Sequence, residues 1–97
     1  MEPKLLIHVT YQAKPSRGRE FVRQIIQQGL RDTILAEDGC LQYDYFFSSE
    51  SEDTVLLVEL WKSAAHQAVH MTQPHMKTLA ALKERETLST AVQKFSV

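Results

Sequence analysis

From Lys4 to Ala13 apolar and polar positions alternate. Leu5, Ile7, Val9, Tyr11 and Ala13 fall on one side; Leu6, His8, Thr10 and Gln12 fall on the other. A period of two predicts a strand. Lys14-Pro15-Ser16 ends it, because proline donates nothing to a ladder, and Ser16 suits the N-cap of a following helix. From about Arg17 to Ala36 the period changes: Phe21, Val22, Ile25, Ile26, Leu30, Ile34 and Leu35 recur at helical spacing. Gly29 lies inside that run, at a cost of about 1 kcal/mol against alanine. Glu37-Asp38-Gly39 closes it, with Gly39 as the C-terminal cap. Period two returns over Leu41 to Ser48 and Thr54 to Trp61, joined by a polar hairpin connection at 49–53. Ser63 can cap a short helix from Ala64 to Met71, and Thr72-Gln73-Pro74 breaks it. Pro74 then opens a second helix reaching about Arg85, with Met76, Leu79, Ala80 and Leu82 along it. Leu88 to Val97 reads as a last, less regular strand. The order βαββαβ predicts an α+β ferredoxin-like fold: a four-stranded antiparallel sheet with helices on one face.

The third strand is apolar on both sides. Leu56, Val58 and Leu60 form one face, Val55, Leu57, Glu59 and Trp61 the other. Helices cover one side only, so the expectation is that Val55, Leu57, Trp61 and part of strand one are left uncovered by the chain itself. A patch of that size marks an interface or a ligand cavity. Two copies related by a two-fold axis, sheet against sheet, close an eight-stranded dimeric α/β barrel. The alternative is a central strand whose apolar residues are buried within one chain.

Composition narrows the function classes. Ninety-seven residues, 43% hydrophobic and 24% charged, fit one globular domain over 1–97. A net charge of −1 with both signs interspersed gives no electrostatic case for nucleic acid or an anionic membrane. No apolar run is long enough to span a bilayer, and MEPKLLIHV lacks the apolar stretch of a secretory signal. The single cysteine, Cys40, excludes an intrachain disulfide, reads as a buried apolar residue and points to a reducing, cytoplasmic setting.

Several segments resemble the antibiotic-biosynthesis monooxygenase (ABM) family. Glu37-Asp38-Gly39-Cys40-Leu41-Gln42-Tyr43 is similar to its E-x-G-C-L-x-Y turn, and Glu59-Leu60-Trp61 to its E-x-W strand end. Ala68 to Lys77 resembles its A-x-H-x-x-x-P-H-x-K segment, and Lys14-Pro15 its K-P-G strand end, with Ser16 in place of the glycine. The resemblance covers nearly the whole chain and implies a dimeric α+β barrel. Its members include quinol monooxygenases that work without metal or flavin, haem-degrading enzymes and enzymes of a phosphorylated signalling sugar, so the fold does not settle the reaction.

The candidate chemistry is carried by histidines. His70, near the end of the short helix, stands where relatives place a substrate-contacting His or Trp, and an imidazole there suits proton abstraction from a phenol. The bland alternative is a histidine favoured by a helix C-terminus. His8 lies opposite the Ile7/Val9 stripe and would enter the barrel cavity, at the position of a functional Asn in haem-degrading relatives, or be a plain interface residue. His75 follows Pro74 at a helix start that can hold an anion, or merely packs. Trp61 and Glu59 share a strand face and are candidates for an aromatic wall and a carboxyl partner, or for a core pair. His66 and His70, four apart, have metal-pair spacing but no third ligand in sequence, so no metal is expected. Ala80 stands where the resemblance would place an axial haem histidine, so no haem is expected. The reading is a cofactor-independent homodimeric monooxygenase using O2 and a small aromatic substrate, a quinol or similar phenol. The catalytic candidates are His70 and His8; Trp61, Glu59 and His75 would bind substrate. An isomerase or degradative enzyme for a small phosphorylated carbonyl compound, and a non-catalytic ligand-binding dimer, stand as alternatives.

Overall fold

The structure is a computed structural model and describes residues 2–97. Its elements run β1 (Leu5–Ala13), α1 (Gly18–Gln27), α2 (Leu30–Leu35), β2 (Cys40–Phe47), β3 (Thr54–Trp61), α3 (Ala64–His70), α4 (His75–Glu86) and β4 (Thr87–Ser96). The four strands form one antiparallel sheet in the order β2-β3-β1-β4, the ferredoxin-like arrangement. Among the described residues no helix is long and apolar enough to cross a membrane.

The long helix expected over Arg17–Ala36 is two helices. Gly29, at φ +74°, leaves the helical region and restarts the chain as α2. Left-handed backbone is nearly free for glycine and costly for other residues. The break also explains Ile26, which is 53% exposed although it fits the apolar spacing: Phe21, Val22 and Ile25 already define the buried face of α1. Ser16 is not the cap. Its own φ is +64°, and Asp53 from the β2–β3 hairpin caps α1 by accepting from Gly18 N at 3.0 Å and Ser16 N at 2.9 Å. Those donors hold the Asp53 carboxyl below the ordinary carboxylate range. Ser63 does cap α3, its Oγ accepting from His66 N at 3.3 Å.

Which sheet face meets the helices is the reverse of the sequence expectation. Val55, Leu57, Glu59 and Trp61 are the buried residues of β3, in register with Tyr11, Val9, Ile7 and Leu5 of β1. They pack with Phe21, Ile25 and Ile34 from α1 and α2 and with Leu79 and Leu82 from α4. The open face carries Leu56, Val58 and Leu60, with Leu6 and His8 beside them, Phe46 at 48% exposure and Phe95 at 42%. Two apolar faces on one strand do not say which one the helices take. The two charged or amphipathic members of the first set, Glu59 and Trp61, are buried because they satisfy each other, as described below.

Candidate functional site

A pocket of about 160 Å3 opens between the helix-side sheet face and helices α3 and α4. Ile7 and Val9 of β1, Tyr43 of β2 and Glu59 of β3 lie on the sheet side; His70 of α3 and Leu79 and Lys83 of α4 lie across from them. The helices do not close over β4, so its Thr90, Val92 and Lys94, all exposed, form one rim.

Three neighbouring segments build the histidine site. The turn after α2 supplies Glu37, the last turn of α3 supplies His70, and the first turn of α4 supplies His75. Glu37 Oε2 accepts from His70 Nδ1 at 2.8 Å and from His75 Nε2 at 2.8 Å. A carboxylate only accepts, so each of those ring nitrogens carries a proton. That fixes the tautomer of neutral His70 and leaves Nε2 as its acceptor. His70 is 1% exposed, yet among the described residues Tyr45 Oη is the one buried side-chain polar atom without a partner. The unpaired Nε2 therefore keeps contact with solvent, and the pocket that His70 lines supplies it.

The three ligand atoms of Glu37, His70 and His75 all lie within 4.8 Å of one another, a donor set of the kind that holds a small cation. Spacing favours protons. Two ligand atoms about 2.1 Å from a tetrahedral ion stand roughly 3.4 Å apart, whereas both histidine nitrogens sit at hydrogen-bond distance from one oxygen.

Trp61 lies behind this layer. It is wholly buried and does not line the pocket; its ring lies 4.5 Å from that of His70, tilted by 35°. Its Nε1–H donates to Glu59 Oε1 at 2.9 Å. Glu59, 7% exposed, has its carboxyl raised above the ordinary range by burial, against the opposing pull of the Trp61 hydrogen bond and of His70, Lys83 and Lys94. Burial also raises the Tyr11 and Tyr43 phenols well above their usual value. Burial thus holds both phenols in their neutral, proton-bearing form and moves the Glu59 carboxyl in the same direction.

Of the residues singled out from sequence, the fold gathers His70, Glu59, Trp61 and His75 at or behind one pocket. His8 does not join them. It sits on the opposite sheet face, 5.4 Å from the Phe95 ring, with the sheet between it and His70. Trp61 is a backing residue rather than an aromatic wall, and His75 reaches Glu37 rather than the pocket. His66 stays outside, its Nδ1 2.7 Å from Ser63 Oγ and its Nε2 3.5 Å from Asp38. Cys40 has its thiol pushed up to about 11 by burial, as an unreactive cysteine should. Glu37, which organises the site, was read from sequence only as part of a turn; a carboxylate opening a recurring turn motif was the available signal.

The family model described as "Antibiotic biosynthesis monooxygenase" matches residues 5–82. YcnE of Bacillus subtilis, named a monooxygenase, is 31% identical over 85 residues, covering 88% of this chain and 86% of that protein. YgiN of Escherichia coli, named a quinol monooxygenase, is 29% identical over 69 residues; the match spans 63% of this chain and 66% of YgiN, just under two thirds of its length. A solved structure from Nitrosomonas europaea, titled as an antibiotic biosynthesis monooxygenase, superposes with a TM-score of 0.87 over all of this chain and 92% of its own, at 14% identity, a likeness of fold.

Proposed function

The chain belongs to the antibiotic biosynthesis monooxygenase family, and from that premise we propose that it is a cofactor-independent monooxygenase of quinols, with His70 as the general base. One observation carries the reading: Glu37 holds His70 Nδ1 at 2.8 Å and leaves Nε2 facing a largely apolar pocket. A buried imidazole with one nitrogen fixed by a carboxylate is oriented to take a proton with the other.

The steps follow from that placement. His70 Nε2 removes a hydroxyl proton from the quinol. The resulting anion is electron-rich enough to give electrons to O2 directly, and a carbon–oxygen bond forms. Neutral Tyr11 and Tyr43 line the same pocket and can donate hydrogen bonds to the peroxide anion. Protonation of the distal oxygen and loss of a ring C–H proton expel water. A simple hydroquinone and O2 thus give a hydroxyquinone and water, with no outside reductant. The open sheet face is covered by a second copy of the chain, which makes the unit a homodimer.

Oxygen consumption with a panel of quinols tests the reaction. His70→Ala is expected to lower turnover by about 10²–10⁴-fold. Glu37→Gln should lower turnover while leaving substrate affinity in place, because it disturbs the tautomer and not the pocket wall. Unchanged turnover in a folded His70→Ala protein would remove His70 from the mechanism.

A further inference from the structure

We infer that the pocket selects a single-ring hydroquinone bearing one carboxylate, and that Lys83 and Lys94 bind that carboxylate. The inference rests on the quinol reading above and narrows it on two independent observations, volume and unpaired charge.

Volume limits the ring count. An apolar cavity of about 150 Å3 holds one benzene molecule. At about 160 Å3 this pocket has room for one ring, and it opens at the β4 rim. Apolar and aromatic side chains, Ile7, Val9, Leu79 and Tyr43 among them, suit the faces of such a ring.

Charge sets the substituent. Lys83 comes from α4, on the same face as Met76 and Leu79; Lys94 comes from the β4 rim. They reach the opening from opposite sides. Among the described residues neither has a carboxylate oxygen within 4.0 Å, while Arg17, Arg23 and Arg31 each do. The Lys83 ammonium stands 5.6 Å above the Tyr11 ring, placed at the pocket. The one carboxyl that lines the pocket, Glu59, already uses Oε1 on Trp61 and supplies at most one negative charge against the two lysines. Two ammonium groups facing a single carboxyl leave excess positive charge beside a low-dielectric wall, and it attracts an anion more strongly than it would in open water. A hydroquinone carboxylate supplies that anion at one end and leaves a hydroxyl for His70.

Anaerobic calorimetry at low salt separates binding from turnover. The probes are 2,5-dihydroxybenzoate, hydroquinone and the two-ring 1,4-dihydroxy-2-naphthoate. The single-ring acid is expected to bind at least tenfold more tightly than either of the others. Lys83→Met combined with Lys94→Met should bring it within about twofold of hydroquinone measured on the same variant. Equal affinities in the wild type, a tighter naphthoate, or a preference that survives the double substitution would each overturn the inference. Oxygen uptake is then measured with the same compounds. Uptake without the charge preference overturns the inference and leaves the quinol reading standing. Charge-selective binding without uptake by any quinol does the reverse.

Discussion

Gly39 couples the backbone of one turn to the placement of the helix that carries His70. The turn closes with Cys40 N donating to Glu37 O at 3.2 Å, and Gly39 takes φ +83° within it. Its carbonyl accepts from Lys62 N at 2.8 Å, tying the turn to the end of β3. A side chain there meets two penalties. Left-handed backbone costs a non-glycine residue roughly 1–2 kcal/mol. A Cβ would also press into Cγ and Cδ2 of His66 and lie 2.7 Å from its Cβ. A change of χ1 at His66 relieves the first two contacts but not the third, which is fixed by the α3 backbone. Overpacking of this kind costs about 1–3 kcal/mol. Gly39→Ala should therefore lose about 2–5 kcal/mol, a fall in Tm of roughly 10 °C or more for a chain of this length. Gly29→Ala is the internal control: its φ is +74°, but an added Cβ meets nothing within 4 Å, so only the backbone penalty applies. Urea unfolding of both variants, with His66→Gly alone and combined with Gly39→Ala, gives the contact as a coupling energy. The double variant should recover part of the loss. Equal costs for the two glycines, or zero coupling with His66, would refute the reasoning.

Two further expectations concern charge and assembly. Because burial raises the Glu59 carboxyl, its contribution to stability is fullest below the ordinary carboxylate range and is lost as pH rises through its folded value; Glu59→Gln does not titrate, so calorimetry should show it gaining on the wild type from pH 4 to 8, and a pH-independent difference would count against a buried carboxyl. On the open sheet face, Leu56→Glu puts a charge between Thr10 and Phe46; sedimentation should give twice the 11.1 kDa chain mass for the wild type and the single mass for the variant, and a monomeric wild type would refute the covered face.

Strand periodicity carried most of the fold. Strands repeat every two residues, and one turn residue suffices to end them, so β1, β2 and β3 were legible to within a residue or so. The break at Gly29 was not, because helical spacing continues across it and only backbone geometry reveals the left-handed residue. The cap of α1 was missed for a different reason: Asp53 is 35 residues from Gly18, and local patterns say nothing about a donor and acceptor that meet through the tertiary fold. Face assignment failed on β3 because apolar content is ambiguous when both sides of a strand are apolar. His8 lies opposite the Ile7/Val9 stripe, as its position in the alternation says; what the alternation does not show is that the sheet separates it from the pocket that His70 lines.

The site itself shows what a sequence conceals about chemistry. His70 and His75 lie within one recognisable segment, yet their relation depends on Glu37, more than thirty residues earlier. Pro74 interrupts the helical stretch so that α3 ends and α4 begins on either side of one carboxylate. The turn that presents that carboxylate also contains Gly39, against which His66 packs. The same α3 backbone thus answers to Gly39 at His66 and to Glu37 at His70, four residues on. A disturbance at Gly39 that shifts α3 must lengthen the Glu37–His70 hydrogen bond or drag the turn with it. Either outcome changes how His70 Nε2 is aimed, so Gly39→Ala should lower turnover by more than its unfolded fraction accounts for. Turnover per folded molecule at a temperature well below the variant's Tm measures this directly. A value equal to the wild type would mean that α3 accommodates the new methyl group without moving the base.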